Sequence, residues 1–430
     1  MSIDLHAAKS LVDYEHGAIS REIFVNAEIY RREVEQIFGR AWLFVGHESQ
    51  VRKPGDFFMS KMGEESVILT RDRANKIHVF LNSCRHRGMK VCRYDEGNTT
   101  NFICPYHAWS YATDGQLVGV QDYDNLYQPP FDKGEWGLIE VAQLVNFHGT
   151  IWATWDKKAP SFEAYLGEAA FGLSGALRAW DGTDGETELL GSVQKWIVPT
   201  NWKFIAENFS GDNLHVVSHR SVEMVGIGPG TSGRRDDYGE ARRAAYPGGH
   251  GIVYSLVPPK ENFVQYSASP VTSDYFASCW KKRLQLLGDK AGIFPLIGTI
   301  FPNMSFHGQQ PRTLLVAHPR GARETEMWRF YFVDKTAPED VKDFLRRYYI
   351  RYSGPAGMTE QDDMENWHYA STASDGLIAR RHPYHYQAGL GRGGPDALIP
   401  GRVTGKEAPG TEQNPRAFYK RWAEFLDAAD

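Results

Sequence analysis

Cysteine and net charge are both scarce in this chain of 430 residues, and each scarcity excludes a class of protein. The four cysteines are too few and too unevenly spaced for the disulfide framework of a secreted protein of this size. A formal net charge of −5 gives no general attraction to nucleic acid or anionic lipid. The sequence contains no run of 18 apolar residues and no signal-peptide pattern at its start. We therefore expect a cytoplasmic protein that binds neither nucleic acid nor membrane.

The rest of the composition is that of a folded protein, with 42% hydrophobic and 23% charged residues. The length exceeds what one compact core usually serves, which predicts two domains. Short β-rich runs separated by turn residues extend from about residue 40 to 157 and predict a small all-β domain. Helical patterns alternate with strand-like runs over 158–430, which is typical of an α+β domain with an antiparallel sheet. Residues 1–39 have helical periodicity and are expected to form an arm packed on that second domain.

Within the α+β part, we predict helices near 161–180, 201–219 and 338–353 and an amphipathic helix at the C-terminal end. Strands are predicted at 188–198, 251–257, 263–269, 313–318 and 326–333. Residues 389–416 are rich in glycine and proline, which predicts irregular structure.

Three cysteines and two histidines crowd into the stretch from Cys84 to Trp109. Its spacing is Cys-x-His, 17 residues, then Cys-x2-His. Two cysteines and two histidines fit either a zinc site or a [2Fe–2S] cluster in which histidines replace two cysteines on one iron. A Cys-x-His pair in a turn serves two neighbouring irons more readily than one ion, which favours the cluster. The remaining alternative is buried thiols beside structural histidines, the interpretation we give to Cys92 and Cys279.

A second group of polar residues follows in the α+β part. Asn208, Asp212, His215 and His219 are spaced by four, three and four residues, which places them on one stripe of a helix. Two imidazoles at i and i+4 can reach one metal ion, and a carboxylate would complete the triad of non-haem Fe(II) oxygenases. Taken alone, such a pair is also compatible with two ordinary polar histidines. The acidic run at 360–365 offers four candidates for the third ligand, namely Glu360, Asp362, Asp363 and Glu365.

The boxes "CRHRG" and "CPYHAW" resemble those of Rieske iron–sulfur proteins. Together with "NWK…ENxxxDxxH…H" and "GPAG…E-x-D-D", they make nearly the whole chain similar to the α subunit of Rieske ring-hydroxylating oxygenases. The resemblance implies a Rieske domain followed by a catalytic domain of helix-grip, START-like fold. It also implies a [2Fe–2S] cluster held by Cys84, His86, Cys104 and His107, and an Fe²⁺ ion held by His215, His219 and Asp363.

One departure from the family pattern is Ala108, where members usually have glycine. A Cβ would matter there only if the backbone required a positive φ, so we expect the departure to be mild.

The activity implied by the resemblance is that of a terminal oxygenase, which adds O₂ to an aromatic ring to give a cis-dihydrodiol. Electrons would come from NADH through a reductase and a ferredoxin, and α subunits would assemble as α3 or, with a β subunit, α3β3. The resemblance places Asn208 facing the iron and makes Asp212 the link between His215 and His107 of the partner subunit. The alternatives are an electron carrier without mononuclear iron and a zinc-binding interaction protein.

The substrate pocket is the least determined feature. A mostly apolar set of candidate lining residues favours a neutral aromatic substrate. The set consists of Phe209, Val216, Met224, Val225, Phe301, Asn303, Met358 and Thr359.

Overall fold

The computed structural model describes residues 7–212, 214–230, 233, 239–259, 264–407 and 410–428, with Val216 described by its backbone alone. The chain divides into two compact units. A discontinuous unit is made of Met1–Ile37 and Pro160–Asp430, and an inserted unit is made of Phe38–Ala159. The polypeptide therefore starts one unit, completes the other, and returns to finish the first.

The N-terminal arm of the discontinuous unit is built from short elements. They are α1 (Ala8–Leu11), β1 (Val12–Asp13), β2 (Ala18–Ile19), α2 (Glu22–Val25), α3 (Ala27–Glu33) and a π-helical turn (Val34–Phe38). Glu33 is fully buried and accepts hydrogen bonds from Lys203 Nζ at 2.5 Å and from the indole N–H groups of Trp202 at 2.9 Å and Trp422 at 2.8 Å. This carboxylate ties the arm to the far end of the chain.

The inserted unit is all-β apart from short helical turns. Its elements are β3 (Leu43–His47), β4 (Asp56–Met62), β5 (Glu65–Arg71), β6 (Ile77–Leu81), β7 (Glu96–Asn98), β8 (Asn101–Ile103), β9 (Ser110–Ala112), β10 (Leu117–Gly119), α4 (Tyr123–Leu126), β11 (Gln143–Phe147) and β12 (Thr150–Thr154). They form three antiparallel sheets of order β6-β5-β4-β7, β11-β12-β3 and β10-β9-β8. Cys84 and Cys104 belong to the same buried cluster as Phe57, Phe102 and Tyr111.

The rest of the discontinuous unit contains one large antiparallel sheet. Its strands are β13 (Thr187–Leu189), β14 (Gln194–Val198), β15 (Glu240–Ala245), β16 (Gly251–Leu256), β17 (Ile293–Ile300), β18 (Met304–His307), β19 (Thr313–Pro319), β20 (Thr325–Asp334) and β22 (Arg402–Thr404), while β21 (Tyr384–His385) pairs with β2 of the arm. The order is β13-β20-β19-β18-β17-β16-β15-β22, and β14 also pairs with β20. Every residue of β19 is buried, which fits a central strand covered on both faces.

Helices of this part are α5 (Phe162–Leu166), α6 (Ala170–Leu177), α7 (Trp202–Gly211), α8 (Arg220–Val225), α9 (Pro270–Leu287), α10 (Glu339–Tyr352), α11 (Met358–Ser374) and α12 (Gln413–Leu426). The buried helix α7 lies against the sheet, where Thr299 Oγ1 of β17 donates to the Ala206 carbonyl at 2.7 Å. On its other side Asn414 Nδ2 of α12 donates to the Ser210 carbonyl at 2.7 Å. Helix α7 is therefore fixed from two directions.

The predicted fold class is confirmed: an all-β domain is followed by an α+β domain with an antiparallel sheet and helices. The predicted strand at 263–269 is wrong, since the described residues 264–269 form a turn that leads into α9. Ser269 caps that helix and Pro270 occupies its first position, a start signal that outweighs the β-like composition before it. The described residues of the stretch 389–416 are irregular except for β22 and the start of α12. Among the residues described, we find no helix with the length and apolarity needed to cross a membrane.

Candidate functional site

The second group of polar residues does not lie on one continuous helix. Helix α7 ends at Gly211, whose φ of +151° favours glycine, and an added Cβ there would lie 2.6 Å from Asn414 Nδ2. Asp212 is extended, and a 3₁₀ helix then spans Leu214–His219. The break shifts the two histidines relative to α7, so their approach depends on this turn rather than on an unbroken helical stripe.

The two histidines and one carboxylate of α11 nevertheless converge. Asp363 Oδ1 lies 3.5 Å from His215 Nε2 and 3.3 Å from His219 Nε2. One ligand atom from each of the three residues lies within 4.8 Å of the other two. Asp363 is 6% exposed, and its Oδ1 accepts no hydrogen bond from any described residue. A buried carboxylate oxygen that faces two imidazole nitrogens in this way fits a divalent iron.

Asp212 contacts Nδ1 of His215, the ring nitrogen that does not face Asp363. Its Oδ2 lies 3.2 Å from His215 Nδ1, and its Oδ1 accepts the Leu214 N–H at 2.9 Å. Burial acts to raise the pKa of Asp212, but the contacts with His215 and the Leu214 N–H outweigh it and hold that pKa below its usual range. The side chain is therefore an anion. Asn208 is buried on α7, one turn before.

The predicted pocket residues fall into different environments. Phe209 is buried and packs its ring 5.3 Å from that of His307, whose pKa burial and the nearby Arg329 lower to about 3. Phe301 packs on the rings of Phe418 and Phe425, Asn303 donates to the Ala317 carbonyl, Thr359 donates to the Tyr352 carbonyl, and Met358 packs against a core cluster. Met224 and Val225 are 78% and 61% exposed. The side chain of Val216 lies outside the described residues.

Two loops with the same backbone pattern carry the cysteines and histidines of the inserted unit. In the first, the Gly88 N–H donates to the Cys84 carbonyl at 2.9 Å and the Cys84 N–H to the Met89 carbonyl at 2.8 Å. In the second, the Ala108 N–H donates to the Cys104 carbonyl at 3.0 Å and the Cys104 N–H donates to the Trp109 carbonyl at 2.8 Å. The two loops therefore present their cysteines in equivalent ways.

Each of these loops needs one residue with positive φ. Gly88 supplies it in the first loop with a φ of +72°, and Ala108 supplies it in the second with a φ of +58°. The backbone therefore does require a positive φ at residue 108, which is the condition under which a Cβ there matters. The expectation that alanine in place of glycine is a mild departure is wrong. A non-glycine residue in this region costs roughly 1–2 kcal/mol.

The side chains of the two loops face each other. The rings of His86 and His107 have centroids 4.5 Å apart, and Cys84 and Cys104 are 3% and 2% exposed. Burial, with the charges of His107 and Arg87, lowers the pKa of His86, which favours the neutral imidazole that binds metal. Two buried cysteines beside two facing histidines fit the donor set of a Rieske cluster.

The sequence analysis did not single out Tyr111, and it did not give Asp362 the place that it occupies in the structure. The hydroxyl of Tyr111 lies 3.2 Å from Cys84 Sγ, and Asp362 Oδ2 lies 3.5 Å from His219 Nδ1. No spacing rule indicates Tyr111, because it reaches the first loop from strand β9. Asp362 was visible only as a competitor for the ligand role of its neighbour Asp363.

Comparisons with known proteins agree with the observed fold. Residues 41–130 match the model of the Rieske [2Fe-2S] domain, and residues 177–428 match that of the ring hydroxylating alpha subunit (catalytic domain). The chain is 35% identical to biphenyl 2,3-dioxygenase subunit alpha of Rhodococcus jostii (strain RHA1), over 98% of this chain and 91% of that one. It is 35% identical to benzene 1,2-dioxygenase subunit alpha of Pseudomonas putida, over 98% and 94%. The crystal structure of naphthalene 1,2-dioxygenase from Rhodococcus sp. bound to indole superposes with a TM-score of 0.84 at 31% identity, over 96% and 95%.

Proposed function

The chain belongs to the family of ring-hydroxylating α subunits, and on that premise we propose that it is an NADH-dependent dioxygenase that converts a neutral aromatic ring to a cis-dihydrodiol. Members of this family are terminal oxygenase components that combine a Rieske [2Fe–2S] cluster with a mononuclear iron. The observation that carries the proposal is the convergence of His215, His219 and Asp363 in a second unit, apart from the cluster residues. An electron carrier alone needs no such triad.

We assign the residues as follows. Cys84, His86, Cys104 and His107 hold the cluster, and His215, His219 and Asp363 hold the iron. When bound, the cluster supplies single electrons and the iron supplies the site at which O₂ is activated. The protein's own part would be to present the imidazoles of His215 and His219 and the carboxylate of Asp363 to the ion, a three-ligand set that would leave coordination positions for O₂ and substrate.

We propose that Asp212 is not a metal ligand and that it orients His215 and fixes the proton on one of its ring nitrogens. Its carboxylate, at 3.2 Å from His215 Nδ1, holds the proton on that nitrogen, so Nε2 carries the lone pair that faces Asp363. We further propose that the same carboxylate reaches His107 of the partner subunit and gives a hydrogen-bonded route between the two centres. Asn208 contributes a polar group at the base of this turn.

The substrate class and the partners are part of the proposal. The named relatives are dioxygenases for biphenyl and benzene. Phe209 packs against the ring of His307, which burial keeps uncharged and which is close enough to His219 for that residue to act on its pKa. Both observations favour a neutral aromatic hydrocarbon. We propose that a ferredoxin and an NADH-dependent reductase deliver the electrons and that α subunits form α3 or, with a β subunit, α3β3.

The test combines iron content with product analysis. The oxygenase should contain about three iron atoms per chain, two in the cluster and one at the triad. With a ferredoxin, a reductase, NADH and ¹⁸O₂, it should place both labelled atoms in a diol of biphenyl, benzene or naphthalene. Asp212→Ala should keep its iron and Rieske spectrum, while turnover falls by about 100-fold or more. An iron content of about two per chain with no product from any of these hydrocarbons would support the electron carrier instead.

A further inference from the structure

Each histidine of the triad has a carboxylate at both ring nitrogens. The Nε2 atoms of His215 and His219 share Asp363 Oδ1, at 3.5 and 3.3 Å. The Nδ1 atoms face two different aspartates: that of His215 lies 3.2 Å from Asp212 Oδ2, and that of His219 lies 3.5 Å from Asp362 Oδ2. Asp212 and Asp362 therefore occupy equivalent positions about the two rings.

Asp362 is fixed on α11 by contacts from the opposite segment. Ser221 Oγ of α8 donates a 2.7 Å hydrogen bond to Asp362 Oδ2, the same oxygen that faces His219. One turn later on α11, Asn366 Nδ2 donates to Ser218 Oγ at 3.0 Å. The side chains of Asp362 and His219 are 23% and 9% exposed, so little water competes for their contact. The carboxylate is held toward the ring.

We propose that Asp362 is a positioning residue of the mononuclear metal site. The inference rests on the proposed function, because it takes His219 as a ligand. The carboxylate of Asp362, 3.5 Å from His219 Nδ1, favours the tautomer that carries its proton on Nδ1 and turns the Nε2 lone pair toward Asp363. Its negative charge also makes the imidazole a stronger donor to a metal ion.

The geometry separates Asp362 from both its neighbour and its counterpart. Asp362 faces Nδ1 of His219, the ring nitrogen that points away from the proposed metal site. Asp363, in contrast, faces the Nε2 atoms of both His215 and His219. Asp212 is proposed to serve electron transfer between subunits in addition to holding His215. Asp362 serves only to position His219. Its loss should therefore weaken iron binding without interrupting the hydrogen-bonded route for electrons that passes through Asp212.

The experiment measures Fe²⁺ affinity in the complete oxygenase with its cluster in place. Protein depleted of mononuclear iron is titrated with Fe²⁺ under anaerobic conditions against a competing chelator, and the Rieske absorption spectrum checks the cluster. Asp362→Ala should weaken binding by about 10- to 100-fold, the usual cost of losing such a partner. Asp362→Asn, which keeps an acceptor oxygen without the charge, should lose less. The matched control is Glu365→Gln, an exposed carboxylate on the same helix, which should bind Fe²⁺ like the wild type.

Asp363→Ala separates the possible failures. If Asp363→Ala loses the ion while Asp362→Ala and Asp362→Asn bind it like the control, the positioning role is overturned and the triad stands. If Asp363→Ala binds Fe²⁺ normally, the triad of the proposed function is wrong. Should Asp362→Ala also lose its Rieske spectrum through misfolding, the nearly isosteric Asp362→Asn provides the decisive affinity, and a wild-type value there rejects the inference.

Discussion

The hydroxyl of Tyr111 lies beside the sulfur of Cys84, one of the proposed cluster ligands. The Arg85 N–H donates to the Tyr111 hydroxyl at 3.0 Å, so the hydroxyl proton is free to point at Cys84 Sγ, 3.2 Å away. Burial raises the pKa of Tyr111 well above its usual range, and the phenol stays protonated. A hydrogen bond to a cluster sulfur stabilises the more negative, reduced state.

Tyr111→Phe should therefore lower the reduction potential of the cluster. A net hydrogen bond of about 0.5–1.5 kcal/mol corresponds to roughly 20–65 mV for one electron. Spectroelectrochemical titration of the oxygenase would measure the shift. Tyr106→Phe removes an exposed hydroxyl from the neighbouring loop and serves as the control with unchanged potential. Equal potentials in the two variants would show that the Tyr111 proton points elsewhere.

For individual residues, the sequence predicts candidate metal ligands where rare residue types such as cysteine and histidine recur at fixed spacing. The structure brings His215, His219 and Asp363 together, as the resemblance implied, although their role as ligands stays a prediction. The spacing cannot tell which nitrogen of His219 faces Asp363 and which faces Asp362, because that depends on where α11 lies. The positive φ of Ala108 could not be predicted for a similar reason, because it is set by the backbone hydrogen bonds that close the folded loop.

Helix α11 is anchored to the sheet by a buried ion pair one turn before Asp363. Arg329 of β20 pairs with Glu360, and the two side chains are 0% and 2% exposed. Arg329 also donates to Thr313 Oγ1 at 2.9 Å, and Glu360 accepts the Gly354 N–H at 3.2 Å. Because residues three apart share a helix face, this pair orients the carboxylate of Asp363 as well.

Breaking that pair should destabilise the fold far more than breaking an exposed one. Glu360→Gln leaves a buried guanidinium without its counter-charge, at a cost of about 3–5 kcal/mol, and should lower iron content. The comparison is Glu186→Gln, which breaks the exposed pair with Lys335 and should cost less than about 1 kcal/mol. Urea unfolding gives both values. Similar losses in the two variants would mean that the buried pair does not anchor α11.

The helices and strands predicted from the sequence are correct where a local hydrophobic pattern determines them. They are wrong where contacts between distant parts of the chain determine the structure. Helix α10 and strands β19 and β20 follow their hydrophobic patterns closely. The single helix predicted over 201–219 is instead α7 followed by a 3₁₀ segment, because Gly211 adopts a positive φ against Asn414 of α12. That contact joins residues about two hundred positions apart, and no local window contains it.

The stability of the discontinuous unit should depend on pH through Glu207. This carboxyl group is half-buried on α7 and accepts hydrogen bonds from the hydroxyls of Tyr386 and Tyr419. Burial raises its pKa from 4.5 to about 8, more than the two tyrosines lower it. The folded state thus keeps a proton that the unfolded chain releases above pH 4.5, so the free energy of unfolding falls as pH rises toward about 8.

The expected slope is at most about 1.4 kcal/mol per pH unit. Glu207→Gln should remove it, while the exposed Glu163→Gln should retain it. Denaturant unfolding at several pH values between 5 and 8 gives the comparison. A slope that persists in Glu207→Gln would assign the pH dependence to another group.

The buried carboxylate of Glu33 sets an order of events during protein synthesis. Its partners Lys203 and Trp422 follow it by 170 and 389 residues. At roughly 5–20 residues per second, the ribosome adds the last of them about 20–80 s after Glu33. The inserted unit is complete by Ala159 and can acquire its cluster on the nascent chain, while the arm still waits for α12. Ribosome-bound chains that end near residue 250 should therefore already be red-brown, yet unable to retain mononuclear iron.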